Sequence, residues 1–192
     1  KDYPSNDLAD YYLALIYQDS AQLEKAIFYA LSATKKSPDN RWFQQKLADL
    51  YLQNNQYNLA IPVLQKCITL DPKGVDFYQS LILCYQKTND WNAAFKVLDL
   101  LESAWGVSPK TIIQRQELFH LSGNIPKAKK ELISLISLFP SEENHFYLAS
   151  DYFIKNNDPE GASKILKQLL ALQPDASRAK FELNQLDNNS GA

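Results

Sequence analysis

The sequence predicts an all-α chain, a solenoid of five helix-turn-helix units closed by a C-terminal capping helix. Three observations lead there. Alanine recurs at Ala26, Ala60, Ala94, Ala128 and Ala162, always at the same interval. Proline stands twelve residues after four of those alanines, at Pro38, Pro72, Pro140 and Pro174, and Gly106 holds the remaining place. Glycine is scarce while Ala, Leu, Lys and Gln are frequent, a composition that favours helix. A sustained period of this length marks a stacked array, in which each unit leaves its apolar face for the next to cover.

Each element follows from the period. Leu64, Leu98, Leu132 and Leu166 lie four residues past the alanine, with Ala30 in the first copy. Ahead of the alanine, Leu13-Ala14 precedes Tyr17, Leu47-Ala48 precedes Tyr51, Leu81-Ile82 precedes Tyr85 and Leu148-Ala149 precedes Tyr152. Every unit thus reads as two amphipathic helices of about thirteen residues, marginal alone in water and stabilised by their neighbours. The small residues let two backbones approach, and the leucines and tyrosines fill the seam. The units are 7–40, 41–74, 75–108, 109–141 and 142–176, with the capping helix at 177–187 and a disordered tail at 188–192. Ser108-Pro109 and Asp158-Pro159 place a cap before a proline at the first helical position, and Ser141 is a cap before Glu142 and Glu143. Pro72 ends a helix that cannot continue through it.

This pattern resembles the tetratricopeptide repeat (TPR), in which a leucine, a small residue and a tyrosine precede an alanine and a closing proline. The resemblance covers nearly the whole chain and implies a right-handed superhelical solenoid. Residues 1–6 (KDYPSN) read as the tail of a preceding repeat, since Pro4 lies one period before Pro38. With no methionine anywhere, the chain is expected to be a piece of a longer protein. The stretch LLESAWGVSPKTIIQRQELFHLSGNIPKAKKEL, residues 100–132, also resembles a segment of long bacterial TPR proteins of the cell envelope. That second likeness implies a periplasmic or envelope location, with the cytoplasm as the alternative.

The period has three departures. In the fourth unit, Arg115 and Gln116 stand where a leucine and a small residue are expected, and the preceding helix runs on through Trp105 to Gly106. Such a unit is drift, a hinge or a partner site. The fifth unit reads as starting one residue early and recovering phase through an extra residue in its turn, KNNDPEG. Pro62 falls inside a helix, where it removes a hydrogen bond and invites a bend.

Composition and motifs point away from catalysis. A net charge of −2 and a pI near 5.7 argue against a nucleic-acid-binding body. No apolar run approaches the roughly eighteen residues needed to span a bilayer. The two histidines, His120 and His145, lie outside any zinc-binding pattern, and no phosphate-cradling glycine loop is present. Cys67 and Cys84 are too few for a disulfide scaffold and read as buried thiols, with a disulfide between their adjoining helices left open. Lys127, Lys129 and Lys130 form a small basic cluster, either a solvated face or a dock for an acidic surface. No cofactor and no metal is expected.

The TPR resemblance implies a concave face, lined by first helices, that holds an extended peptide or a partner helix. The repeat phase then names Tyr11, Leu15, Trp42, Gln45, Asp49, Gln79, Leu83, Gln86, Ile113, Glu117 and Phe146 as groove residues. The lysine-rich clamp by which one TPR subclass grips a carboxyl terminus is not matched, because the corresponding places carry Tyr11, Leu15, Lys46, Asp76 and Ser80. The expected function is a non-catalytic protein-interaction scaffold. Its rivals are a spacer packed against its own longer chain and a regulatory module of an enzyme elsewhere in it.

Overall fold

The computed structural model describes residues 6–189. The readings of residues 1–6 as a repeat tail and of residues 190–192 as disordered therefore fall largely outside it. The described chain is helical throughout, with no strand. It divides into two units, Lys1–Ala104 and Trp105–Ala192.

In the first unit, α1 (Asp7–Asp19) pairs with α2 (Leu23–Lys36), and α3 (Arg41–Gln53) with α4 (Tyr57–Leu70). These are followed by α5 (Val75–Lys87) and α6 (Trp91–Trp105). Helix α2 also packs on α3 and α4 on α5, so these two second helices are each shared between their own repeat and the next. The second unit repeats this with α7 (Pro109–Leu121) on α8 (Ile125–Leu138), then α9 (Glu143–Lys155) on α10 (Pro159–Leu172). Helix α11 (Ser177–Asn189) packs on α10, so residues 188 and 189 belong to the helix and not to a tail.

The five periodic alanines are all fully buried, which lets paired helices close on one another. The turn between them repeats equally strictly. Ala21, Asn55, Asn89, Gly123 and Asn157 recur at that same period, and all have positive φ, between 55° and 80°. Asparagine and glycine tolerate that left-handed geometry, whereas Ala21 adopts it against the clash of its Cβ. Ser108 accepts from the Thr111 amide at 3.2 Å and Asp158 from the Gly161 amide at 2.8 Å, as their sequence positions suggest. Ser141 does not cap α9; the residue before that helix is Glu142, whose side chain makes no capping bond. Pro62 sits exposed within α4, which continues through it to Leu70.

The fifth unit does not start early. Helix α9 begins three whole periods after α3, and Asn157 turns where Asn55 does. The small residue that matches Ala14 and Ala48 is therefore Ser150, not Ala149, and the aromatic that matches Tyr17 and Tyr51 is Phe153, not Tyr152. Ser150 is fully buried, as Ala14 and Ala48 are.

Candidate functional site

The predicted groove residues of the first unit lie on the first helices of the repeats. Tyr11 and Leu15 of α1 are half-buried. The Tyr11 ring stacks on Phe43 of α3, centroids 5.1 Å apart, and meets the edge of Tyr12 at 5.9 Å. Trp42 follows on the first turn of α3, 59% exposed, with the Arg41 guanidinium 4.6 Å over its ring. Asn40 sets that turn by accepting from the amides of Trp42 and Phe43. Arg41 is held in turn by Asp71 at 2.7 Å.

A polar ladder joins the other ends of α1 and α3. Gln18 donates to Gln53 at 2.9 Å and accepts from Lys46 at 3.0 Å. Asp49, close to Lys46 on the same helix, is exposed as a residue, yet the packing around its carboxyl pushes it above the usual carboxylate range, and Lys46 only partly offsets this. On α5, Leu83 is 40% exposed, while Gln79 and Gln86 are half-buried. Gln45 of α3 is half-buried as well. The arrangement offers large apolar contacts and amide hydrogen bonds, with no convergent nucleophile, acid and base among the described residues.

In the second unit, Ile113 is half-buried and Glu117 exposed on α7. Phe146 is a correction: it is 0% exposed and lies in the core among Leu132, Ile136 and Leu166. The unbroken period explains why, since Phe146 matches the buried Gln44, Tyr78 and Ile112. The counterparts of Tyr11 and Asp49 are Tyr147 and Asp151, which counting one whole period onward from Ile113 and Glu117 would have found. Both are engaged by α11. The Arg178 guanidinium lies 4.1 Å over the Tyr147 ring and 3.6 Å from Asp151, and bonds Glu182 at 2.6 Å. Tyr147 donates to Glu143, and burial with that neighbouring carboxylate pushes its hydroxyl up to about 12.

Cys67 and Cys84 are free, fully buried, and pushed up to about 11 by burial. His120 shares a 3.0 Å hydrogen bond with the Tyr152 hydroxyl. Lys129 of the basic cluster is taken up by Asp158 at 2.8 Å and the Phe153 ring at 4.9 Å, and Lys127 lies over Phe119. Among the described residues, no group of three or more His, Cys, Asp or Glu side chains could hold a metal ion. None of the described helices is long and apolar enough to cross a membrane.

Residues 43–73 match the family model described as tetratricopeptide repeat. Those residues form one tetratricopeptide repeat, α3 with α4, and helix pairs recur on either side of it. Solved structures agree on the fold. One is a complex of Naa15 and Naa10 bound to HypK-THB, at TM-score 0.72 and 16% identity over 95% of this chain and 29% of that one. The MamA protein gives 0.65 and 18%, covering 92% of this chain and 96% of that one. YrrB, described as a TPR protein with an unusual peptide-binding site, gives 0.57 and 16%, covering 90% and 89%. At such identities these structures share the fold of the chain.

Proposed function

We propose that this chain is a non-catalytic protein-interaction scaffold, which holds a peptide or partner segment against the first helices of its first unit. The observation that carries this reading is the exposure of Trp42 and Leu83 on successive first helices. Large apolar side chains held at a surface are the anchors from which protein interfaces are made. The amides of Gln45, Gln79 and Gln86 lie on the same helices and supply donors and acceptors for a bound backbone. A binding role also agrees with the fold's use in YrrB, whose structure is described by its peptide-binding site. The acidic balance of the chain favours protein over nucleic acid as the partner.

The test is affinity capture with the native chain and a Trp42→Ser/Leu83→Ser variant, retained proteins being identified by mass spectrometry. Tyr11 is left intact because its stack on Phe43 supports the fold. A partner held by the native chain and lost from an equally helical variant is the expected result. Equal retention by both would overturn the proposal.

A further inference from the structure

Trp42 and Asp49 stand about two turns apart on α3, as Asp76 and Leu83 do on α5, which keeps each pair on one side of its helix. All four residues are exposed. One period relates Trp42 to Asp76 and Asp49 to Leu83, so each apolar residue has a carboxylate as its counterpart on the other helix. The second unit shows the same positions filled. Arg178, Tyr147 and Asp151 lie three whole periods beyond Asp76, Gln45 and Asp49. There the guanidinium lies over the ring and reaches the carboxylate at 3.6 Å. On α3 and α5 a second carboxylate takes the place of that cation. Among the described residues, no ion pair or hydrogen bond engages the side chain of Asp49 or Asp76. The cations of the two helices are used elsewhere. Lys46 donates to Gln18, Arg41 is held by Asp71, and Lys87 stands in the last turn of α5, while Asp76 stands in the first. Packing also withdraws the Asp49 carboxyl from water, and a carboxylate so placed gains from an opposite charge brought beside it.

We infer that the segment held by Trp42 and Leu83 carries an arginine or lysine between its apolar anchors, seated on Asp49 and Asp76 as Arg178 is seated on Asp151. This rests on the proposed scaffold role and specifies its partner, a basic and apolar stretch of polypeptide. Trp42 and Leu83 take its apolar side chains, and the two carboxylates take its cation through charge-assisted hydrogen bonds.

The probe is a displayed library of random peptides of about twelve residues, long enough to cross both helices when extended. It is selected in parallel on the whole native chain, on Asp49→Asn/Asp76→Asn and on Trp42→Ser/Leu83→Ser. Asp76→Arg is a second charge variant, supplying from α5 the cation that Arg178 supplies from α11; circular dichroism checks the helicity of each. The native chain should enrich peptides in which arginine or lysine accompanies aromatic or aliphatic residues. Both charge variants should lose the preference for a cation and keep the apolar one. In the most enriched arginine peptide, citrulline in place of arginine should weaken binding to the native chain about fivefold, read by fluorescence anisotropy, and leave binding to Asp49→Asn/Asp76→Asn unchanged. The inference alone is overturned if the enriched peptides are neutral or acidic, if the charge variants enrich the same cations, or if no peptide is enriched. It is also overturned if sedimentation shows the native chain dimerising and Trp42→Ser/Leu83→Ser monomeric, which assigns the surface to a second copy. Equal binding of the enriched peptides by Trp42→Ser/Leu83→Ser is the distinct outcome that overturns the scaffold reading together with the inference.

Discussion

Helices α3 and α9 occupy the same place in the repeat, and the same positions on them meet different fates. On α3, Gln45 is half-buried and Asp49 exposed, with Trp42 standing out beside them. On α9, the corresponding Tyr147 is buried and Asp151 half-buried, both held by Arg178 from α11. The surface left open on α3 is taken up on α9 by Arg178 of α11, whose counterpart on α5 is Asp76. A repeat position defines where a side chain stands, and its neighbour decides whether it stays exposed or is covered.

The sharpest way to break this comparison is through Phe146, which the unbroken period assigns to the core. Phe146→Ala should destabilise the chain by about 3–5 kcal/mol, whereas Trp42→Ser should change stability by no more than about 0.5 kcal/mol. Urea unfolding of the two variants measures both; similar small losses would show that Phe146 lies at a surface.

Alkaline pH separates the two regions next. Burial raises the thiols of Cys67 and Cys84 from 9.0 to about 11, and the Tyr147 hydroxyl from 10.0 to about 12. A raised folded-state pKa contributes stability that is complete below the unfolded value and is lost as pH rises through the folded one. Thermal unfolding should therefore become easier between about pH 9 and 11 in the native chain. Cys67→Ala/Cys84→Ala should flatten that window and leave the decline above about pH 10 that belongs to Tyr147 and to Tyr51 and Tyr85, whose hydroxyls burial also raises. An unchanged profile in the double variant would contradict the burial of the thiols.

The smallest effect concerns Ser150. Its hydroxyl is buried with no hydrogen-bond partner, in the place that Ala14 and Ala48 fill. Ser150→Ala removes the unsatisfied group without changing the packing and should raise stability by about 1 kcal/mol. A loss of stability on the same substitution would mean that the hydroxyl has a partner.

Much of this architecture was legible. The alanine period, the closing prolines and the caps at Ser108 and Asp158 act through contacts within a few residues of themselves, so local chemistry reveals them. The first-helix positions proposed to hold a partner follow from the same phase. The misreadings lie in the fifth unit, where Leu148-Ala149 with Tyr152 and Ala149-Ser150 with Phe153 both satisfy a spacing of small residue and aromatic. The two registers differ by one residue, a rotation of about 100° around the helix, enough to exchange a core position for a surface one. Asn157, three periods beyond Asn55, held the signal that chooses between them, because only a few residue types accept its positive φ.

What the sequence determined alone is the succession of helices, their length and their pairing, since periodic small and apolar residues impose these on any chain that carries them. Only the tertiary structure decided which first-helix surfaces stay open. Arg178 reaches back from α11 to Tyr147 and Asp151, with the whole of α10 between them in the chain, while Asp49 keeps its exposure on α3. Burial depends on which helix lies alongside, and no local pattern encodes that.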